Sequence, residues 1–263
     1  MTMSTGEMII RTSGEITASE CDEAREKIGH LRALAGRPLL FVRIELRMEP
    51  DPARPRPAIA KATLDVGGRI VRAHVASTSI RDAIDLLQAR LRQQLERVSH
   101  HQESKKLRAR GDEWHHATPR AIRPTHFPRP AEERELVRHK SFAVAEVTPD
   151  EAAWELDLMD LDFYLFVNLH TGEDNVLVRD PDAPSTYELI ERDATCDLEE
   201  QVATIRPSAI RPAVMDVDEA IALLDIANEP FVFFFDQGVN RGHVLYRRYD
   251  GHYGLIIPAN EPT

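Results

Sequence analysis

The chain has 263 residues and a formal net charge of −11, enough length for two or three small domains with a real core. No apolar run reaches the roughly 20 residues of a membrane span and the N-terminus lacks a secretory pattern, so a cytoplasmic location is the default expectation. The two cysteines, Cys21 and Cys196, fit no metal or redox spacing. The net charge hides a division: residues 1–130 hold 23 Lys+Arg against 16 Asp+Glu, and residues 131–263 hold 10 against 28. The first portion is suited to a polyanion, and the second to avoiding one or to meeting protein.

Residues 1–98 read as a β-α-β-β-β-α domain. Met8 to Thr12 is a short strand, and Thr17 with Glu20 in capping-box spacing opens a helix to about Ala35. Leu39 to Met48 alternates apolar and polar residues as a half-buried strand does. Pro50, Pro52, Pro55 and Pro57 make a loop, after which Ile59–Val66 and Ile70–Ala76 form a hairpin around Gly67-Gly68. Ser79 and Asp82 cap a second helix, Ile80 to about Val98. Its Ile80, Ile84, Leu87, Leu91, Leu95 and Val98 form one apolar stripe.

The polar residues of the second helix divide around that stripe. Arg81, Asp85, Arg92 and Glu96 share a flank at i,i+4 spacing and are expected to pair among themselves. Arg90 and Arg97, seven apart, share the other flank with Gln94 and no carboxylate. On the first helix Arg25 and Arg32 are also seven apart, with Asp22, Glu23 and Glu26 further round. Unpaired, stacked guanidinium groups suit phosphate, which they can fork. A solvated helix face is the other reading of the same pattern.

Residues 99–135 read as a basic, Pro-rich linker containing Lys105, Lys106, Arg108 and Arg110. His100-His101 and His115-His116 lack Cys or carboxylate partners at ligand spacing and read as solvated histidines, so no metal site is expected.

The acidic half contains an internal repeat. Glu151-Ala152, Phe163, Phe166, Val176-Leu177 and Arg179 recur 68 residues later as Glu219-Ala220, Phe231, Phe234, Val244-Leu245 and Arg247. Tyr187 and Leu189 meet Tyr253 and Leu255 at an offset of 66, so the last hairpin of the first copy should be longer. Each copy, 136–191 and 204–260, reads as β-α-β-β-β; in the first the elements are Arg138–Val144, Asp150–Met159, Phe163–Leu169, Asn175–Arg179 and Thr186–Ile190. The fold class is α+β. The first copy has PDAPST where the second has the Asp250-Gly251 turn.

The run VLYRRYDGHYGLIIP, Val244 to Pro258, resembles the end of the C-terminal domain of long-form ribosome hibernation-promoting factors, the S30EA or sigma-54-modulation family. The N-terminal layout resembles the same family, with AIDLLQARLRQQLERV on its second helix. Arg90 falls where the family commonly has lysine, Gln94 matches a frequent glutamine, Arg97 a basic position, and Ser99 replaces a further lysine. The duplicated C-terminal domain is as in actinobacterial dormancy-associated ribosome factors.

The resemblance implies a non-enzymatic factor that inhibits translation under stress or dormancy. It would lie on small-subunit rRNA across the mRNA and tRNA sites. The expected rRNA-binding residues are Arg25, Lys27, His30, Arg32, Arg90, Gln94, Arg97, Lys105, Lys106 and Arg108. In long-form relatives the C-terminal domain pairs between chains and joins two ribosomes; here the two copies are expected to pair within one chain. Phe231, Phe233, Phe235, Tyr246, Arg247, Arg248 and Tyr253 are the residues expected to serve that pairing or contacts with ribosomal proteins, although the phenylalanines also read as core. No catalytic residue, cofactor, small-molecule substrate or membrane partner is expected. A stress regulator acting through a protein partner and a factor that dimerises ribosomes are the rival readings.

Overall fold

A computed structural model describes residues 7–51, 54–107, 129–138, 144–180, 183, 186–193, 203–227 and 229–258. The chain forms two compact units, one centred on residues 7–107 that includes the short segment Asp157–Leu161, the other on residues 129–156 and 162–258.

In the first unit, strands β1 (Glu7–Ser13), β2 (Leu39–Met48), β3 (Ala58–Val66) and β4 (Arg69–Ser77) form one sheet in that order. β1 runs parallel to β2 and the others are antiparallel. The β3–β4 turn is two glycines, Gly67 and Gly68, at φ +59° and +88°, the left-handed pair that a two-residue hairpin of this twist requires. Helix α1 (Ala18–Gly29) starts at the predicted capping box and tightens into a 3₁₀ turn at His30–Ala33. Helix α2 spans Ile80–Leu107. The expected stripe Ile80, Ile84, Leu87, Leu91, Leu95 and Val98 is buried, as are Val42, Ile44 and Leu46 of β2. Each such side chain contributes about 1.5–3 kcal/mol relative to exposure.

α2 corrects one predicted boundary. It continues nine residues past Val98, where the linker was expected to begin. Residues 99–107, SHHQESKKL, contain neither Gly nor Pro, so nothing in them stops a helix.

The second unit holds two five-stranded sheets. The first copy supplies β6 (Glu146–Val147), α3 (Pro149–Leu158), β7 (Phe163–Asn168), β8 (Asp174–Arg179) and β9 (Thr186–Ile190). The second supplies β11 (Val214–Met215), α4 (Val217–Ala227), β12 (Phe231–Asp236), β13 (Gly242–Arg247) and β14 (Tyr253–Ile256). Each sheet is completed by the other copy. β5 (Leu136–Arg138), which opens the first copy, lies parallel to β14, and β10 (Thr204–Pro207), which opens the second, lies parallel to β9. The sheet orders are β10-β9-β8-β7-β6 and β11-β12-β13-β14-β5.

This corrects the single opening strand expected at Arg138–Val144. Its start pairs in one sheet, while Glu146–Val147 pairs beside β7 in the other; residues 139–143 lie outside the described residues. The last hairpin of the first copy is two residues longer than that of the second, between the paired Arg179 and Tyr187 against Arg247 and Tyr253. That was the expectation from the PDAPST stretch.

Candidate functional site

Two regions carry the residues expected to act: the helices of the first unit and the sheets of the second. On α1, Thr17 Oγ1 accepts from the Glu20 amide at 3.3 Å, and the Glu20 carboxylate accepts from the Thr17 amide at 2.7 Å. These bonds from Thr17, backbone first, hold the Glu20 carboxyl below its ordinary value and fix the start of the helix.

The cations that follow are engaged. Arg25 Nη1 donates to Asp22 Oδ1 at 2.6 Å, so the expectation that Asp22 lies out of its reach is corrected: i,i+3 neighbours meet on a helix. Lys27 Nζ bonds Glu23 at 2.7 Å and also Asp85 of α2. The bond to Asp85, then that to Glu23, raises the Lys27 ammonium above its ordinary range. Arg81 lies 3.8 Å from Glu23. The flank expected to pair along α2 therefore reaches across to α1. His30 is exposed and Arg32 half-buried on the 3₁₀ turn.

The expectation that Arg90 has no carboxylate beside it is also corrected. Arg90 is 7% exposed and Gln94 fully buried. Arg90 Nη2 donates to Asp160 Oδ1 at 2.6 Å, and Gln94 Nε2 donates to the Asp157 carbonyl at 3.3 Å. Spacing along α2 cannot reveal a carboxylate 70 residues away. Arg97, Lys105 and Lys106 lie on α2, their side chains outside the described residues, and Arg108 is outside them altogether.

In the second unit, Phe231, Phe233 and Phe235 project from one face of β12 into a cluster with Leu165, Val176 and Ile190 of the first copy and Val244 of the second. Phe163 meets Phe231 with ring centroids 4.8 Å apart and Tyr246 at 5.6 Å. The Arg192 guanidinium lies 3.4 Å over the Phe235 ring, a cation–π arrangement, and donates to Asn240 Oδ1 at 2.9 Å. Phe231, Phe233, Phe235 and Tyr246 thus stand where the two sheets meet face to face.

Polar residues complete that seam. Asp174 accepts from Arg241 Nε at 2.7 Å, from Arg241 Nη2 at 3.0 Å and from the Gly242 amide at 2.8 Å. A Cβ at Gly242 would sit 2.6 Å from the Asp174 Cβ. Only glycine leaves room for this carboxylate. Sequence reading missed Asp174, Arg192, Arg241 and Gly242. Positions 173-174 and 241-242 are counterparts 68 residues apart, and their change from Glu-Asp to Arg-Gly was the available signal.

Arg247, Arg248 and Tyr253 work on the other side of the same hairpin. The Asp225 carboxylate near the end of α4 accepts from Arg134 Nη1 at 2.5 Å, Arg247 Nη2 at 3.2 Å and the Tyr253 hydroxyl at 2.7 Å. Arg134 lies two residues before the exchanged β5, so this network fastens the exchanged strand to its new sheet. Burial raises the Tyr253 phenol, and its bond to Asp225 adds to the rise against the opposing effect of Arg134. Arg248 clamps Asp250 through Nε at 3.1 Å and Nη2 at 2.9 Å. Burial opposes ionisation of Asp250, but the bonds from Arg248 and the His252 amide leave its carboxyl below its ordinary value. Tyr246 lies across Gly254, where a Cβ would run into the ring.

Among the described residues no three His, Cys, Asp or Glu side chains are grouped to hold a metal ion, and no helix is long and apolar enough to cross a membrane.

Residues 131–183 and 199–255 each match the family described as Sigma 54 modulation/S30EA ribosomal protein C terminus. The chain is 29% identical to a "Dormancy associated translation inhibitor" of Mycobacterium tuberculosis, over 97% of this chain and 89% of that protein. It is 40% identical to a "Ribosome hibernation promotion factor" of Lactococcus lactis over 22% of this chain and 31% of that one. It is 31% identical to another of that name from Picosynechococcus over 45% of this chain and 62% of that one. The C-terminal signature of the Sigma 54 modulation/S30EA ribosomal protein family is thus matched twice within the chain, and a similar protein aligns with it along nearly its whole length.

Proposed function

We propose that the protein is a ribosome hibernation factor whose first unit occupies the mRNA and tRNA sites of the small subunit, while its two C-terminal modules pair in cis. It then silences single ribosomes instead of joining two. The names of the similar proteins support the general role. Exposed basic side chains of the first unit, Arg25 and Lys61 among them, suit it to rRNA phosphate.

The cis arrangement rests on one observation: the residues that meet at the seam are complementary and not alike. Glu173-Asp174 of the first copy stands where the second has Arg241-Gly242, and Asp174 is bonded to both of the latter. A first copy facing another first copy would oppose carboxylates, and two second copies would oppose arginines. Like charges across an interface cost several kcal/mol, on the order of what separates a pair from no pair. The connection between the copies also makes their meeting intramolecular, with an effective concentration in about the millimolar range.

Sucrose-gradient sedimentation of purified ribosomes with the full-length protein tests this. The protein should travel with small subunits and single ribosomes and reduce translation in a reconstituted system. Protein-dependent ribosome dimers would overturn the cis reading. Absence of the protein from all ribosomal fractions would overturn the role itself and favour a regulator acting through another protein.

A further inference from the structure

On the helices, four of the described cations, Arg25, Lys27, Arg81 and Arg90, each face a carboxylate. The opposite side of the sheet is different. α2 packs on β2, β3 and β4 from one side, and the buried residues of β2, such as Val42, Ile44 and Leu46, point there. The alternating residues point outward, as pleating requires.

Register places these outward residues in rows. Arg43 of β2, Thr63 of β3 and Arg72 of β4 stand side by side. The next row is Arg11, Glu45, Lys61 and His74, and the one after it brings Arg47. Five cations thus share three rows with one carboxylate, Glu45; the adjoining row of Phe41 adds Glu7 and Asp65, and Glu49 lies beyond the strand end 3.0 Å from Arg47. Lys61 reaches Glu45 only at 3.9 Å. Lys61 and Arg47 keep 47% and 40% of their side-chain surface exposed. Arg43 lies 5.2 Å over the ring of Phe41, which stands two residues before it on the same face.

We propose that this outer sheet face is a further RNA-binding surface, in which Arg43, Lys61 and Arg72 contact backbone phosphates and Phe41 offers a stacking platform. The chemistry fits one ligand class. Guanidinium groups fork phosphate oxygens, and an aromatic ring among cations on a sheet is how extended nucleic acid is held without sequence preference. The rows of Arg43 and Lys61 keep more cations than carboxylates, a local surplus that a polyanion lying across them offsets. The inference rests on the functional reading above, because rRNA is the polyanion that reading supplies.

The test uses the full-length protein, fluorescently labelled and titrated with purified small subunits across a potassium chloride series. The variant Arg43→Gln/Lys61→Gln/Arg72→Gln should bind about 10- to 100-fold more weakly and lose about 2–3 from the slope of log affinity against log salt. The variant Arg43→Lys/Arg72→Lys, which keeps the charge, should retain that slope. If the triple variant does not fold, Lys61→Gln and Arg72→Gln are made singly, each expected to remove about 1 from the slope. Wild-type affinity and slope in folded Gln variants would overturn the sheet-face site alone. Failure of the wild-type protein to bind small subunits at any salt would overturn the functional reading and the site with it.

Discussion

The two C-terminal copies share an order of elements, exchange their opening strands and meet face to face, yet they have specialised in opposite ways. The second copy keeps the tight Asp250-Gly251 turn and gathers Arg134, Arg247 and Tyr253 around Asp225. The first has a longer last hairpin and contributes the seam carboxylate, Asp174. A chain that carries both halves of a pair is free of the requirement that one surface be complementary to itself. Divergence at a few seam positions is then enough to choose the partner.

The comparison can be broken hardest at the shared apolar seam. Phe233 is 6% exposed between the sheets, and Phe233→Ala should cost about 3–5 kcal/mol in urea denaturation. A loss under about 1 kcal/mol would mean that the two sheets do not bury that ring in solution. Next in size is the asymmetric contact itself. Gly242→Ala drives a methyl toward Asp174 and the Phe233 ring, the latter 2.8 Å from the new carbon. It should cost about 2–3 kcal/mol, and an unchanged denaturation midpoint would refute the close approach.

Asp225→Asn removes the charge shared by Arg134, Arg247 and Tyr253, and a loss of about 2 kcal/mol is expected. Faster amide exchange should appear in β5 and β14, because Arg134 fastens the exchanged strand. Exchange confined to α4 would argue against that role. Gly251→Ala should cost about 1–2 kcal/mol, since Gly251 sits at φ +85°. A neutral result would mean that the turn accommodates a side chain at that position.

The smallest effect is alkaline. Burial, with a smaller contribution from Glu155, pushes the Tyr164 phenol from 10.0 up to about 12. Its neutral form is therefore favoured by folding. The associated stability is complete below the unfolded value of about 10 and lost as pH rises toward about 12. Valine stands at the equivalent position of the second copy, Val232, so Tyr164→Phe should flatten this part of the decline. An identical pH profile for wild type and Tyr164→Phe would exclude Tyr164 as its source.

Features that local pattern encodes are legible in the amino-acid order. The capping box at Thr17 and Glu20, the Gly67-Gly68 hairpin, the apolar stripe of α2 and the 68-residue repeat all depend on neighbours within a turn, a strand or a copied segment. The end of α2 is not legible in this way, because a polar helix without Gly or Pro reads like a linker. The pairing of Arg90 is hidden because its partner, Asp160, lies 70 residues away, whereas Arg25 meets Asp22 within one helical turn.

By itself, then, the sequence determined the elements, their faces, the duplication and the division of charge, since periodicity and composition follow from side-chain chemistry alone. Only the tertiary structure decided which sheet receives each opening strand. A strand such as Leu136–Arg138 has the same alternation whichever edge it joins, and the choice lies in distant hydrogen bonds. Tertiary structure likewise decided which cations are consumed by carboxylates and which gather on the outer sheet face, because charge is additive along a chain but pairing depends on distance in space.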